Sequence, residues 1–258
     1  MTDFRRIVLT GASSGIGAAL AAELAGPDRE ILLVGRNAAR LEAVGDLLRM
    51  KGTRVDTATL SVTDTDGMAR LLADYDALGP VDLVIANAGI SGGLSGRDRP
   101  EPEGLGRAQV ETNLLGVLNT VEPLLEPMMA RKAGRFVLIS SMAAIRPQPD
   151  LPSYSASKAG VRAYGIALRG WLRPLGVGVT VVCPGFVTSP MSARHGGFKP
   201  FEMSAERAAR IILSGARRGR SSVIFPLPLA LLAWGANLLP PAISERLERV
   251  FAARIEPG

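Results

Sequence analysis

Histidine and cysteine occur once each in this chain of 258 residues, as His195 and Cys183, and aromatic residues make up only 5% of it. One cysteine excludes an internal disulfide and a multi-thiolate metal cluster, and one histidine leaves a His-based zinc site without its ligands. Cysteine scarcity fits a reducing compartment, and 1–6 runs into a strand with no charged and then apolar leader, so the expectation is cytoplasmic residence. Nucleic-acid motifs are missing as well. The net charge is +6, yet no zinc knuckle, basic-region helix or aromatic-interleaved RNA motif accompanies it, so no nucleic-acid partner is expected.

What is present is aliphatic. Hydrophobic residues form 47% of the chain, which suits parallel strands buried on both faces. Apolar runs at 7–10, 31–34, 55–59, 81–86, 135–140, 177–183 and 222–225 alternate with helical periodicity. They predict one α/β domain over 1–258, a doubly wound, mainly parallel seven-stranded sheet. Gly26, Gly52, Gly79, Gly134 and Gly176 stand where helices should stop, positions that favour φ > 0.

Three segments break the alternation. Residues 89–103, rich in Gly, Pro, Arg and Asp, read as a long loop beyond the carboxyl end of a strand. Residues 189–203 carry Met191, Phe198, Phe201 and Met203 in a pattern too irregular for a helix, and read as a substrate lid. The apolar C-terminal extension, 226–258, begins in an uncharged stretch that Pro226, Pro228, Pro240 and Pro241 divide. Those prolines leave room for only about eleven residues of uninterrupted helix, too few to span a bilayer. Its leucines and Trp234 have three open uses: packing on the domain, covering a subunit partner, or lying at a membrane interface.

Chemistry concentrates at Tyr154-Ser-Ala-Ser-Lys158. A phenol and an ammonium four residues apart share one helix face. Bringing a tyrosine from about 10 to near neutrality requires roughly 4 kcal/mol, which one cation at about 4 Å supplies at an effective dielectric of ~20. Lys158 is therefore expected to lower the pKa of Tyr154. Near the N-terminus, Thr10-Gly-Ala-Ser-Ser-Gly-Ile-Gly17 follows a strand and opens a helix. Glycines there let the backbone turn tightly against a pyrophosphate that the positive helix end attracts.

With Asn87-Ala-Gly89, Asn113, Ser141, and Pro184-Gly185 followed by Thr188, these motifs stand in the order of the short-chain dehydrogenase/reductase family, which the chain resembles from about residue 6 to 225. The resemblance implies a Rossmann-type fold and an enzyme in which Tyr154 is general acid/base. Ser141 hydrogen-bonds the carbonyl oxygen, Lys158 acts on Tyr154 and the nicotinamide ribose, and Asn113 holds a relay water through its backbone. The thirteen-residue interval to Tyr154 selects Ser141 over Ser140.

Cofactor contacts are implied at Gly11, Ser13, Ser14, Gly15, Ile16 and Gly17, at Asn87, Ala88 and Gly89, at Tyr154 and Lys158, and at Pro184, Gly185 and Thr188. Arg36 ends the second strand, where an acidic residue would select NAD(H); a guanidinium there favours NADP(H) by meeting a 2′-phosphate. The second basic determinant is absent, its place taken by Ser14, and Ser61 stands where relatives carry an adenine-binding aspartate. The expected function is an NADP(H)-dependent interconversion of a carbonyl and an alcohol on a lipophilic small molecule, in a homodimer or homotetramer paired through helices near 104–129 and 154–175. The alternative is a non-catalytic NADPH-binding regulatory module acting through a partner or membrane surface.

Overall fold

The computed structural model describes residues 3–94, 96, 99–240 and the backbone of 254–255. In chain order the strands are β1 (Arg6–Thr10), β2 (Glu30–Gly35), β3 (Arg54–Thr59), β4 (Leu83–Ala86), β5 (Arg135–Ile139), β6 (Gly178–Pro184), β7 (His195–Gly196), β8 (Ser222–Phe225) and β9 (Arg254–Ile255). The helices are α1 (Gly15–Leu24), α2 (Ala38–Arg49), α3 (Thr65–Ala77), α4 (Leu105–Val110), α5 (Gly116–Arg131), α6 (Pro152–Leu172), α7 (Pro190–Ala193), α8 (Ala205–Arg217) and α9 (Leu227–Asn237). One seven-stranded sheet has the order β3-β2-β1-β4-β5-β6-β8, and all its pairs are parallel. β7 and β9 pair antiparallel outside it.

Strand alternation divides the core. Ile7, Leu9, Leu83 and Ile85 face a layer with Leu20 of α1 and Ile212 of α8. Val8, Val84 and Phe136 face the opposite layer, with Met68 of α3, Leu124 of α5 and Val161 of α6. Both faces being covered, the strands read as aliphatic runs rather than as alternating polar and apolar positions. Strand order reverses between β1 and β4, and a crevice opens there at the carboxyl ends of the strands.

The seven predicted strands all join the one parallel sheet, with small shifts at their ends. Helix ends differ more. Gly52 (φ 81) and Gly176 (φ 79) adopt the left-handed conformation expected of them. Gly26 does not: α1 stops at Ala25 with φ −62, and the Gly26 amide donates to Thr53 Oγ1 instead. α5 ends on Lys132 at φ 53, before Gly134 is reached. Residues 189–203, expected to be irregular, contain the single turn α7, because Pro190 opens it and Ser189 Oγ accepts from the Ser192 amide.

The tail forms α9, whose eleven residues match the length its prolines allow. Ala230 and Ala233 pack against Met142, Ile145 and Cys183, while the Asn237 side chain donates to the Ile145 carbonyl and accepts from Arg146. Leu227, Leu231, Trp234 and Leu238 face outward. The first of the three uses left open for this segment thus holds for its described part. Residues 241–253 and 256–258 of the extension lie outside the described residues. Among the described residues no helix is long and apolar enough to cross a membrane.

A left-handed lysine carries a steric cost of roughly 1–2 kcal/mol that glycine avoids, partly offset by the extra freedom glycine has when unfolded. Lys132→Gly is expected to raise the unfolding free energy by up to about 1 kcal/mol. Urea denaturation of the two proteins at one pH checks this.

Candidate active site

The turn from β1 into α1 is built by exclusion. Gly11 has φ 65, and a Cβ on it would stand 2.7 Å from Ala88 Cα; a Cβ on Gly17 would stand 2.1 Å from the Gly11 carbonyl oxygen. Neither position admits a side chain, so α1 begins hard against β1. Asn87 locks the arrangement: its Nδ2 donates to the Thr10 and Gly11 carbonyls, at 3.0 and 3.1 Å. Thr10 Oγ1 in return accepts from the amides of Asn87 and Ala88. The two motifs, more than seventy residues apart, are one hydrogen-bonded unit. Ser14 occupies the N-cap of α1 without a side-chain capping bond, so the first-turn amides are left for a ligand anion.

Tyr154 and Lys158 rise from the first turns of α6, on one face of it. Lys158 Nζ lies 6.0 Å from the Tyr154 ring centroid. The lysine is 5% exposed and donates to the Ile139 carbonyl at 3.0 Å, and burial pushes its pKa down to about 8. Tyr154 behaves contrary to expectation: burial raises its pKa, opposed by a hydrogen bond with the Ser141 side chain. The simple Coulomb estimate fails because the ammonium is itself desolvated and bonded to Ile139 rather than aimed at the phenol.

Ser141 is placed by its own turn, its Oγ accepting from the Ala143 amide at 3.1 Å. Ser140 Oγ is spent on the Lys158 carbonyl at 2.8 Å, where it ties β5 to α6. Asn113 sits in a π-helical turn, Glu111–Leu115, between α4 and α5. Its fully buried side chain accepts from the Ile90 amide and donates to the Ile90 carbonyl and Ser157 Oγ. A Cβ on Gly89 would lie 3.0 Å from Asn113 Oδ1 and 3.3 Å from Lys158 Nζ, so Gly89 keeps the floor under the lysine open.

These residues border one cavity of about 740 Å³ along the carboxyl ends of the strands. Gly11, Ser13, Ser14, Gly15, Ile16, Gly17, Arg36, Ser61 and the 87–89 segment line it, as do Ser141, Tyr154, Lys158, Pro184 and Gly185. Two expected site residues are elsewhere. Asn113 is buried behind Gly89, and Thr188 is exposed, its hydroxyl bonded to the Met203 carbonyl at 3.3 Å, while Val187 and Ser189 take the lining positions. Ser61 lines the cavity with its hydroxyl already bonded to Thr63 Oγ1 at 2.8 Å.

The structure also adds residues. Arg40, in the first turn of α2 and four residues after Arg36, lines the same cavity. His195 and, from α9, Leu229, Leu232, Ala233 and Ala236 line it as well. The α9 set is spaced i, i+3, i+4, i+7 and so shares one face of the helix.

The residues present fit a dinucleotide. The glycine positions leave no room for side chains but space for a backbone-bound pyrophosphate, and the exposed guanidinium groups of Arg36 and Arg40 border the end nearest β2 and α2. Among the described residues no group of three metal-ligating side chains exists.

Comparison with known proteins agrees with this geometry. The family model described as short chain dehydrogenase matches residues 5–197. An uncharacterized oxidoreductase of Myxococcus xanthus is 35% identical over 96% of this chain and 97% of its own length. Ketoacyl reductase HetN of Nostoc is 33% identical over 71% of this chain and 64% of its own length. Among solved structures, an actinorhodin polyketide ketoreductase variant with NADPH superposes with TM-score 0.79 at 28% identity, covering 88% of this chain and 97% of that one.

The buried lysine gives a stability signature. Its folded pKa of about 8 lies below the ordinary 10.5, so between those values the unfolded chain holds more protons and stability rises with pH. Below about 8 the full cost of burying the charge is present. The unfolding free energy of the wild type relative to Lys158→Met is therefore expected to shift in favour of the wild type, by up to about 3 kcal/mol, from pH 7 to 10.5. Paired denaturation curves across that range, without cofactor, check it.

Proposed function

Because the chain belongs to the short chain dehydrogenase family and is an oxidoreductase of it, we propose that it is an NADP(H)-dependent enzyme interconverting a carbonyl and an alcohol on a lipophilic small molecule. The observation that carries this reading is the Tyr154 phenol, hydrogen-bonded to Ser141 and beside Lys158 on the wall of a cavity with a glycine-lined end and an apolar end. NADPH, when bound, supplies the hydride for the carbonyl carbon. Tyr154 gives its proton to the carbonyl oxygen, and the raised pKa of the free protein keeps that proton in place. Ser141 steadies the negative charge developing on the same oxygen. Lys158, near pKa 8, passes a proton readily at neutral pH, and on this reading it would also bond the nicotinamide ribose hydroxyls. The buried Asn113 side chain fixes the π turn, so that its backbone can hold a relay water.

Arg36 and Arg40 support NADP(H) over NAD(H), since both guanidinium groups suit a 2′-phosphate. Met191, Phe198 and Leu232 support a lipophilic substrate under a lid formed by 189–203. Thr188 has a place in this reading only if that segment moves. Val110 at the end of α4, Leu115 in the π turn, and Ile166 and Trp171 on α6 are exposed and support self-association there. A silent regulatory module draws no support from a site that gathers Ser141, Tyr154 and Lys158 around one cavity. Flotation with liposomes tests whether the outward leucines of α9 reach a membrane surface.

NADPH oxidation with a panel of ketones, aldehydes and ketoacyl esters tests the proposal directly. Tyr154→Phe is expected to lower kcat by about 10²–10⁴-fold while NADPH binding persists. Arg36→Ala with Arg40→Ala is expected to raise the KM for NADPH at least tenfold and leave that for NADH within about twofold, read from initial rates with each cofactor.

A further inference from the structure

The substrate end of the cavity is apolar apart from a few side chains, and one pair among them is unusual. Ser91, 6% exposed in the loop after β4, has its Oγ 3.1 Å from Nε2 of His195, which lies in the segment after β6. The two are 104 residues apart and both line the cavity. Arg194 Nη2 donates to the Ser91 carbonyl at 3.4 Å, and β9 pairs with His195 and Gly196, so the backbone on both sides is held. Burial, then the charges of Lys199 and Arg194, lower the pKa of His195 and keep it neutral.

Among the described residues the neutral imidazole and the hydroxyl bond only to each other, which leaves one proton over. If the serine donates to Nε2, the Nδ1 hydrogen is uncommitted; if Nε2–H donates to the serine, the hydroxyl hydrogen is. Either tautomer presents a single unused donor inside a largely apolar chamber, where a matching acceptor is worth more than in water. Other polar groups on these walls are mostly spent: Ser192 Oγ bonds Glu202 Oε1, Arg146 bonds Asn237, and Asp150 is engaged with neighbours. The side chain of Gln148 is the competitor.

We propose that Ser91 and His195 are a positioning pair whose uncommitted proton receives a second oxygen of the substrate, so that the preferred substrate is a carbonyl compound with a neighbouring ester, thioester or keto oxygen. This rests on the carbonyl-reductase reading above. The pair touches no reacting atom. It fixes which way the substrate lies, and so which carbonyl carbon faces the hydride and Tyr154.

The test compares two probes of equal chain length, ethyl 3-oxooctanoate and dipentyl ketone, which differ in the second carbonyl. Calorimetric binding to the NADPH-loaded Tyr154→Phe protein isolates recognition from turnover, and KM and kcat in the otherwise wild-type protein give the second readout. His195→Ala and Ser91→Ala are each expected to weaken the keto ester about tenfold in Kd and KM and to leave dipentyl ketone within about twofold. His195→Gln, which keeps both a donor and an acceptor, is expected to restore most of the loss, and Gln148→Ala to change neither probe. Equal weakening of both probes would assign the pair to loop structure alone and overturn the proposal. An effect of Gln148→Ala on the keto ester in place of His195→Ala would overturn it too. If wild-type protein oxidises NADPH with no carbonyl at all, the functional reading itself fails, and this inference with it.

Discussion

The ammonium of Lys158, taken out of water and bonded to the Ile139 carbonyl, is the constraint around which the site is arranged. A cation in that position is tolerated only because α6 and β5 are fixed relative to each other, and Ser140 fixes them by donating to the Lys158 carbonyl. Gly89 leaves the space in front of the amine, and Asn113 closes the space behind it. Remove any of these and the lysine has either no partner or no room.

The same economy governs the glycine-rich turn. Thr10 and Asn87 exchange hydrogen bonds between adjacent parallel strands, so the glycine-rich end and the Tyr154–Lys158 end of the cavity share β1, β4 and β5 as one floor. The rim of the cavity is built from the loop after β4, the segment after β6 and α9. These parts shape the chamber for substrate, and they come from stretches that broke the strand–helix alternation.

Strand number and position were legible because strands covered on both faces must be continuous aliphatic runs, and seven such runs stood out; their order in the sheet was not read. α9 was legible in length, since prolines bound it, but not in role. Its outward Leu227, Leu231, Trp234 and Leu238 and its cavity-lining Leu229, Leu232, Ala233 and Ala236 are all apolar, so hydropathy could not tell wall from surface. Helix ends were read too strictly from glycine: Ala25 and Lys132 end α1 and α5 instead. Thr188 lies outside the cavity lining because its hydroxyl bonds the Met203 carbonyl, a tertiary contact that spacing in sequence does not report. The Ser91–His195 contact has no local signal at all, and the rise in the Tyr154 pKa depends on tertiary burial, which spacing along a helix does not report.

The phenol of Tyr154 is thus held as an acid in the free protein and is expected to become labile only once the dinucleotide is beside it. Ultraviolet difference titration of the wild type against Tyr154→Phe, with and without NADP⁺, reads this directly. The prediction is a phenolate signal above the ordinary tyrosine range in the free protein that moves toward neutrality when NADP⁺ binds. A free-protein signal already near neutrality, or one that NADP⁺ leaves unmoved, would contradict it.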